Sequence, residues 1–169
     1  MSKPSAVPYE TTHLVRDTCL CLHAQRAART LARRFDDALR PLGLTNGQFS
    51  LLMALNRPEP PTVGAVAALL AMDRTTLTAA LKPLVRRGLV KSAPDAQDRR
   101  SRRIALTADA HALLSAAVRI WQQTHARIEA DLPAGEAERL RRNLGRFSTG
   151  TTPGGPPTSR DRSRPPCRP

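Results

Sequence analysis

Aromatic residues are scarce in this sequence, at 3% of 169 residues, although hydrophobic residues make up 40%. A folded core must therefore be built from leucine, alanine, valine and isoleucine, a composition that favours packed helices over a β-sandwich. Acidic residues are also few, with 14 against 27 lysines and arginines, and the formal net charge is +13. An excess of this size indicates a polyanionic partner, either nucleic acid or an acidic membrane surface, although a merely basic protein also fits.

Other absences narrow the class of protein further. No run of about 18 apolar residues occurs, so we expect no transmembrane helix and no membrane partner. Residues 1–10 lack the apolar segment of a signal peptide and are predicted to form a flexible arm. The odd number of cysteines (Cys19, Cys21 and Cys167) suggests no disulfide framework, and we expect a cytoplasmic protein. Without a glycine-rich phosphate loop, a Ser-His-Asp set or an apolar carboxylate pair, we expect neither an enzyme nor a cofactor.

Apolar periodicity predicts a mainly helical chain. A long amphipathic helix is predicted over residues 11–40, followed by shorter helices over 45–55, 62–70 and 74–87 that begin at Thr45, Thr62 and Arg74. The stripe of the long helix, which would face a partner helix, consists of Leu14, Thr18, Cys21, Gln25, Ala28, Ala32, Phe35 and Leu39.

The second half of the chain predicts a small β-hairpin between helices. Strands are expected at residues 89–91 and 103–106, with a polar hairpin over 92–102 that turns at Pro94-Asp95. Thr107 would cap a long helix to about residue 130, and Pro133 would open the last one. Residues 149–169, rich in Pro, Gly, Ser and Arg, are predicted to be disordered. The element order over residues 45–106 predicts a winged helix-turn-helix: mainly α with a small β-wing.

The helix at residues 74–87 has two different faces. At about 100° per residue, Leu77, Leu81, Leu84 and Val85 share one side, and Thr75, Ala79, Lys82 and Arg86 share the opposite side. The second face is small, polar and basic, and it suits a DNA major groove about 12 Å wide, although a solvated surface face remains the alternative. Pro83 lies inside this helix, where we expect a kink or a tighter turn.

The hairpin is unusually basic. Residues 98–103, DRRSRR, place four arginines within six positions. Phosphates would neutralise their mutual repulsion, and a narrow minor groove attracts arginine. Asp95 and Asp98 would hold the arginines in a fixed orientation by bidentate pairing. The alternative is an ordinary solvated charge run.

The informative segments are DRTTLT at residues 73–78, LVRRGLV at 84–90, Asp95, and DRRS at 98–101 leading to IALT at 104–107. Together they resemble the MarR family of bacterial regulators. The resemblance covers roughly residues 11–148. It implies a homodimer formed by the helices of residues 11–40 and 107–148, with residues 41–106 as the DNA-binding lobe. The dimer would bind a pseudo-palindromic operator in double-stranded DNA, and we expect a repressor. The residues that would contact DNA are Arg74, Thr75, Thr76, Thr78 and Lys82 in the helix, and Arg99, Arg100 and Arg102 in the wing.

The resemblance also raises the question of what such a regulator senses. A small aromatic or phenolic effector is expected, and Arg26, Met53 and Trp121 would line its pocket or serve as ordinary packing. Cys21 occupies the position of the reactive cysteine in the organic-peroxide sensors of the family, but the tyrosines of those sensors are replaced by Gln25, Phe35 and Asn46. Two interpretations of Cys21 therefore remain open. It is either a redox-active thiol activated by His23 or Arg26, or a structural residue buried on the apolar stripe.

Three further alternatives need to be considered. Cys19 and His23 share a helix face, but a zinc site needs a third and usually a fourth ligand at a diagnostic spacing, so no metal site is expected. A nonspecific nucleic-acid binder driven by total charge is the second alternative, and the arginine-rich tail suits it. A scaffold whose winged domain docks another protein is the third.

Overall fold

The computed structural model describes residues 6–95 and 102–148. The predictions for residues 1–5 of the arm, for Asp98, Arg99 and Arg100 at the wing tip, and for the tail from residue 149 lie outside these described residues. The chain divides into two compact units, with the boundary after Asp131. The first unit contains α1 Tyr9–Thr18, α2 Leu20–Leu39, a 3-10 turn Arg40–Leu42, α3 Asn46–Leu55, α4 Val63–Leu69, α5 Arg74–Arg86, β1 Val90–Pro94, β2 Arg102–Leu106 and α6 Ala108–Ala130; the second contains α7 Glu136–Ser148. The predicted class, mainly helical with one small antiparallel sheet, is confirmed.

Polar side chains set the starts of four helices. Thr45, Thr62, Asp73 and Thr107 each accept a hydrogen bond from a backbone N–H three residues later, which satisfies an amide that has no partner within the helix. Thr45 belongs to a full capping box, because Gln48 also accepts from the Thr45 backbone amide at 3.1 Å. The sequence predictions for the caps at Thr45, Thr62 and Thr107 are confirmed.

A leucine-rich core joins helices α2 to α6. Its fully buried side chains come from α2, α3, α4, α5, α6 and β2, and the largest are Leu39, Leu52, Leu77, Leu84, Ile104 and Val66. Each such side chain contributes about 1.5–3 kcal/mol through burial. Phe49 of α3 stacks on Trp121 of α6 with ring centroids 6.4 Å apart. The inference that aliphatic residues build the core is therefore confirmed.

The wing is anchored to the core lobe at its base. β1 and β2 pair antiparallel from Val90 with Leu106 to Pro94 with Arg102. The Ile104 amide donates to the carbonyl of Pro61 at 3.0 Å, which attaches β2 to the loop before α4. The turn predicted at Pro94-Asp95 is wrong at Pro94, which still belongs to β1. Proline is tolerated there since the strand lies at the edge of a two-stranded sheet.

Three other helix predictions need correction. The single helix expected over residues 11–40 is divided at Cys19, which adopts an extended conformation (ψ 105°) and caps α2 through its sulfur. The Thr18 hydroxyl donates to the carbonyl of Leu14 at 2.7 Å and so serves one of the last carbonyls of α1. Helix α1 begins at Tyr9, inside the predicted arm, and α7 begins at Glu136 rather than near Pro133, because Gly135 has a left-handed φ of 78°.

Among the residues that the structure describes, no single helix is long and apolar enough to cross a membrane. Helices α4 and α5 pass that test only as a pair, by length and composition, with a bend of 105° between them.

Candidate nucleic-acid interface

Helices α4 and α5 form a helix-turn-helix. Their axes meet at 105°, within the range of about 90–120° typical of this motif. The turn depends on Ala71, which has a φ of 50° and is the one non-glycine residue with positive φ among residues 6–95 and 102–148. The Met72 amide then donates to the carbonyl of Ala67 at 2.9 Å. This turn sets the direction in which α5 leaves the lobe.

Asp73 fixes the first turn of α5. Its carboxylate accepts from the Thr76 amide at 2.8 Å and from the Thr76 hydroxyl at 2.5 Å. The hydroxyl bond is the main cause that lowers the pKa of Asp73 below its ordinary value of 3.8, and the amide bond adds to it. The Thr76 hydroxyl proton is therefore engaged in the cap, which leaves its oxygen lone pairs available to an external donor.

The outer face of α5 carries the predicted contact residues. Arg74, Thr75, Thr76, Thr78 and Lys82 are all exposed. At about 100° per residue, Thr75, Thr78 and Lys82 fall within about 60° of arc. The Thr78 hydroxyl donates to the carbonyl of Arg74 at 2.7 Å, so it too faces outward as an acceptor.

The buried face of α5 is narrower than the sequence predicts. Leu77, Leu81 and Leu84 are buried, but Val85 is 47% exposed, so its assignment to the core side is wrong. On the helical projection Val85 lies between Leu81 and Thr78, at the edge of the buried face. Helix α5 stays α-helical through Pro83, whose carbonyl accepts from the Arg87 amide at 3.1 Å, and the expected kink stays a prediction.

Two wing arginines are held by the hairpin itself. Arg102 donates through Nε to the Ser92 hydroxyl at 2.7 Å and through Nη2 to the Ser92 carbonyl at 3.0 Å. Arg103 donates to the carboxylate of Asp95 at 2.9 Å and to the carbonyl of Pro60 at 3.0 Å. Asp95 thus pairs with an arginine, as expected, although its role in orienting the wing toward DNA stays a prediction. Arg103 was not among the predicted site residues, and no sequence signal distinguished it from its arginine neighbours.

A groove between α5 and the wing brings the two predicted groups together. It has a volume of about 550 Å³, and its polar rim includes Thr78 and Lys82 from α5 and Ser92 and Arg102 from the wing. Its apolar floor consists of Val63, Leu81, Pro83, Val85, Val90 and Ile104. Cationic and hydroxyl groups therefore converge on one surface, an arrangement that suits phosphates and base edges.

The residues that line this groove include none of the candidate sensor residues. In the single chain Cys21 is exposed, and its sulfur accepts from the Gln25 side-chain amide at 3.3 Å. Trp121 packs between Phe49 and His125, with the His125 ring centroid 4.7 Å away. Arg26 and Met53 are exposed. The effector pocket and the redox role of Cys21 both stay predictions.

Comparison with known proteins identifies relatives of this fold. A family model described as MarR family matches residues 42–101. The transcriptional regulator MosR of M. tuberculosis, solved in complex with DNA, is 40% identical, and the match covers 78% of this chain and 94% of MosR with a TM-score of 0.71.

Curated regulators match over a shorter region. The transcriptional activatory protein BadR of Rhodopseudomonas palustris is 35% identical over 85 residues, which are 48% of this chain and 49% of BadR. The HTH-type transcriptional regulator SarZ of Staphylococcus epidermidis is 26% identical over 98 residues, which are 58% of this chain and 65% of SarZ. The chain therefore spans about half the length of BadR and slightly less than two thirds of SarZ.

Proposed function

Because this chain belongs to the MarR family, we propose that it is a transcriptional regulator that binds double-stranded DNA sequence-specifically. The observation that carries this proposal is the groove in which Thr78 and Lys82 of α5 face Arg102 of the wing. MosR, a relative at 40% identity, was solved with DNA, which supports the same partner here. The net charge of +13 supports it as well.

The dimensions of α5 suit major-groove recognition. Its 13 residues span about 20 Å, and its outer face carries threonines, Ala79 and the cationic Lys82 and Arg86 rather than aromatic side chains. Such a helix can enter a groove about 12 Å wide, where hydroxyl groups reach base edges and cationic groups reach phosphates. We propose that Thr75, Thr76 and Thr78 read base edges, and that Lys82 and the wing arginines bind the backbone or the minor groove.

We propose that the regulator acts as a homodimer. Helices α1 and α2 expose large apolar side chains, and α7 independently exposes a row of its own; these residues are Tyr9, Leu14, Val15, Leu20, Leu31, Leu140, Leu144 and Phe147. Exposed apolar surface of this extent indicates a protein partner, and a second copy of the chain would bury it. A two-fold dimer would bind a pseudo-palindrome with half-site centres about ten base pairs apart.

We further propose that the dimer represses transcription, including that of its own gene, and that a small aromatic or phenolic effector releases it from DNA. Family membership supports this part of the proposal.

Selection of bound duplexes from random-sequence DNA tests the proposal. The full chain is expected to enrich one pseudo-palindromic sequence. Lys82→Ala should then weaken binding to that sequence, whereas Arg139→Ala, which removes the same charge from a pair with the partly exposed Glu136 on α7, should leave it nearly unchanged. Recovery of unrelated sequences without enrichment would instead indicate a nonspecific binder driven by charge.

Redox control through Cys21 is a second candidate, favoured by the hydrogen bond that its sulfur accepts from Gln25 and by the exposure of this thiol in the single chain. An organic hydroperoxide would oxidise the thiol to a sulfenic acid and be reduced to the alcohol. Peroxide should then release the wild-type protein from its operator but not the Cys21→Ser variant. Equal release of both proteins would exclude this mechanism.

A further inference from the structure

Gly64, the second residue of α4, lies directly against the guanidinium group of Arg74, the first residue of α5. A Cβ atom at position 64 would lie 3.1 Å from Nη2 of Arg74, and 3.7 Å from both Cζ and Nε. The head group of the arginine, not only its aliphatic stem, therefore occupies the space that a side chain at position 64 would need.

The backbone does not explain a glycine at this position. Gly43, Gly88 and Gly135 have left-handed φ values of 63°, 69° and 78°, but Gly64 has an ordinary helical conformation that any residue adopts. Glycine within a helix is less favourable than alanine, because it loses more conformational freedom on folding. What Gly64 provides is space for Arg74.

The Arg74 side chain has few other contacts that could hold it against the lobe. Its side chain is exposed, and no carboxylate or hydrogen-bond acceptor holds its guanidinium among residues 6–95 and 102–148. The neighbouring carboxylate, that of Asp73, is engaged with the amide and hydroxyl of Thr76. The guanidinium is thus located by contact with α4 while its hydrogen-bond donors remain available to an external anion.

We propose that Gly64 is a positioning residue, which lets the guanidinium of Arg74 rest on α4 and so directs it to a DNA phosphate. In a helix-turn-helix the first helix crosses the DNA backbone while the second enters the major groove. A cation held against α4 rather than along α5 therefore meets a phosphate, not a base edge. This inference rests on the proposed DNA binding and assigns one phosphate contact within it.

A double-mutant cycle on the full chain tests the inference, with dissociation constants measured on the selected operator and on a scrambled duplex at several salt concentrations. Arg74→Ala should weaken binding about tenfold on both duplexes and reduce the salt slope by about one, because a phosphate contact is independent of sequence. Gly64→Leu should reproduce both effects, and Gly64→Ala should give a smaller loss in the same direction.

The Arg74→Ala background separates positioning from a general structural role. In that background the Gly64 substitutions should change the dissociation constant by less than about twofold, because no guanidinium remains to be displaced. Gly47→Ala in α3 is the matched control, since a Cβ there would meet only the Thr45 hydroxyl oxygen at an ordinary 3.9 Å. Gly64→Ala should also keep a melting temperature at or above that of the wild type.

Three results would each overturn the positioning role. They are a wild-type dissociation constant for Gly64→Leu, an equal loss of affinity from the Gly64 substitutions in the Arg74→Ala background, and a lowered melting temperature of Gly64→Ala. The scrambled duplex distinguishes this failure from that of the proposed function. A wild type without preference for the operator would contradict sequence-specific regulation, whereas the phosphate contact would still be measured on either duplex.

Discussion

Arg103 connects Asp95 to Pro60 and thereby attaches the wing to the loop before α4. Its Nε atom donates to the Asp95 carboxylate at 2.9 Å, and its Nη1 atom donates to the Pro60 carbonyl at 3.0 Å. The Asp95 residue is only 6% exposed, whereas the Arg103 side chain is 36% exposed. A carboxylate removed from water to this degree requires a charged partner, which Arg103 provides within the wing, and the second hydrogen bond of Arg103, to the Pro60 carbonyl, joins the wing to the loop.

Asp95→Ala is expected to lower the free energy of unfolding by about 1–2 kcal/mol, because it removes a charge-assisted hydrogen bond from a largely buried site. Urea denaturation followed by circular dichroism measures this change. Asp37→Ala is the control: its pair with Arg40 is exposed on both sides and should contribute less than about 0.5 kcal/mol. Equal effects of the two substitutions would contradict the role assigned to Asp95.

Ala71→Gly is expected to stabilise the protein by about 0.5–1 kcal/mol. Ala71 has a φ of 50°, which is unfavourable for a residue with a Cβ atom, and the relief outweighs the added freedom of glycine in the unfolded chain. Ala68→Gly, the same change three residues earlier within α4, should destabilise the protein by about 1 kcal/mol. Thermal and urea unfolding distinguish these opposite signs, and a loss of stability in both variants would refute the assignment of strain to the turn.

Asp73 predicts a specific pH dependence of stability. Its pKa in the folded protein lies below 3.8, because the Thr76 hydroxyl and amide donate to the charged carboxylate. A lowered folded pKa contributes stability that is present above the ordinary pKa and is lost as the pH falls through the folded value. The melting temperature of the wild type should therefore fall more between about pH 6 and about pH 3 than that of Asp73→Asn, which keeps a cap without a charge. Parallel curves for the two proteins would contradict the charged cap.

Local signals in the sequence were sufficient for much of the fold. Threonine before an apolar periodic segment predicted the helix starts at Thr45, Thr62 and Thr107, and the leucine spacing predicted which side of α5 packs inward at Leu77 and Leu84. These features depend on residues within one or two turns of each other, so the sequence contains the information directly.

Contacts between distant segments were not predictable in the same way. The pairing of Arg103 with Asp95 and Pro60 depends on the strand register, and the contact of Gly64 with Arg74 depends on the angle between two helices. The break at Cys19 was missed because cysteine is not a usual helix cap, so the apolar periodicity on both sides suggested a single helix.

The central claim is that α5 and the wing together recognise a particular DNA sequence. Its most direct test compares the dissociation constants of the wild-type protein for the selected operator and for a scrambled duplex of the same composition, at about 150 mM salt. The account predicts binding to the operator that is tighter by a factor of at least about 10³. Equal affinities for the two duplexes would contradict it.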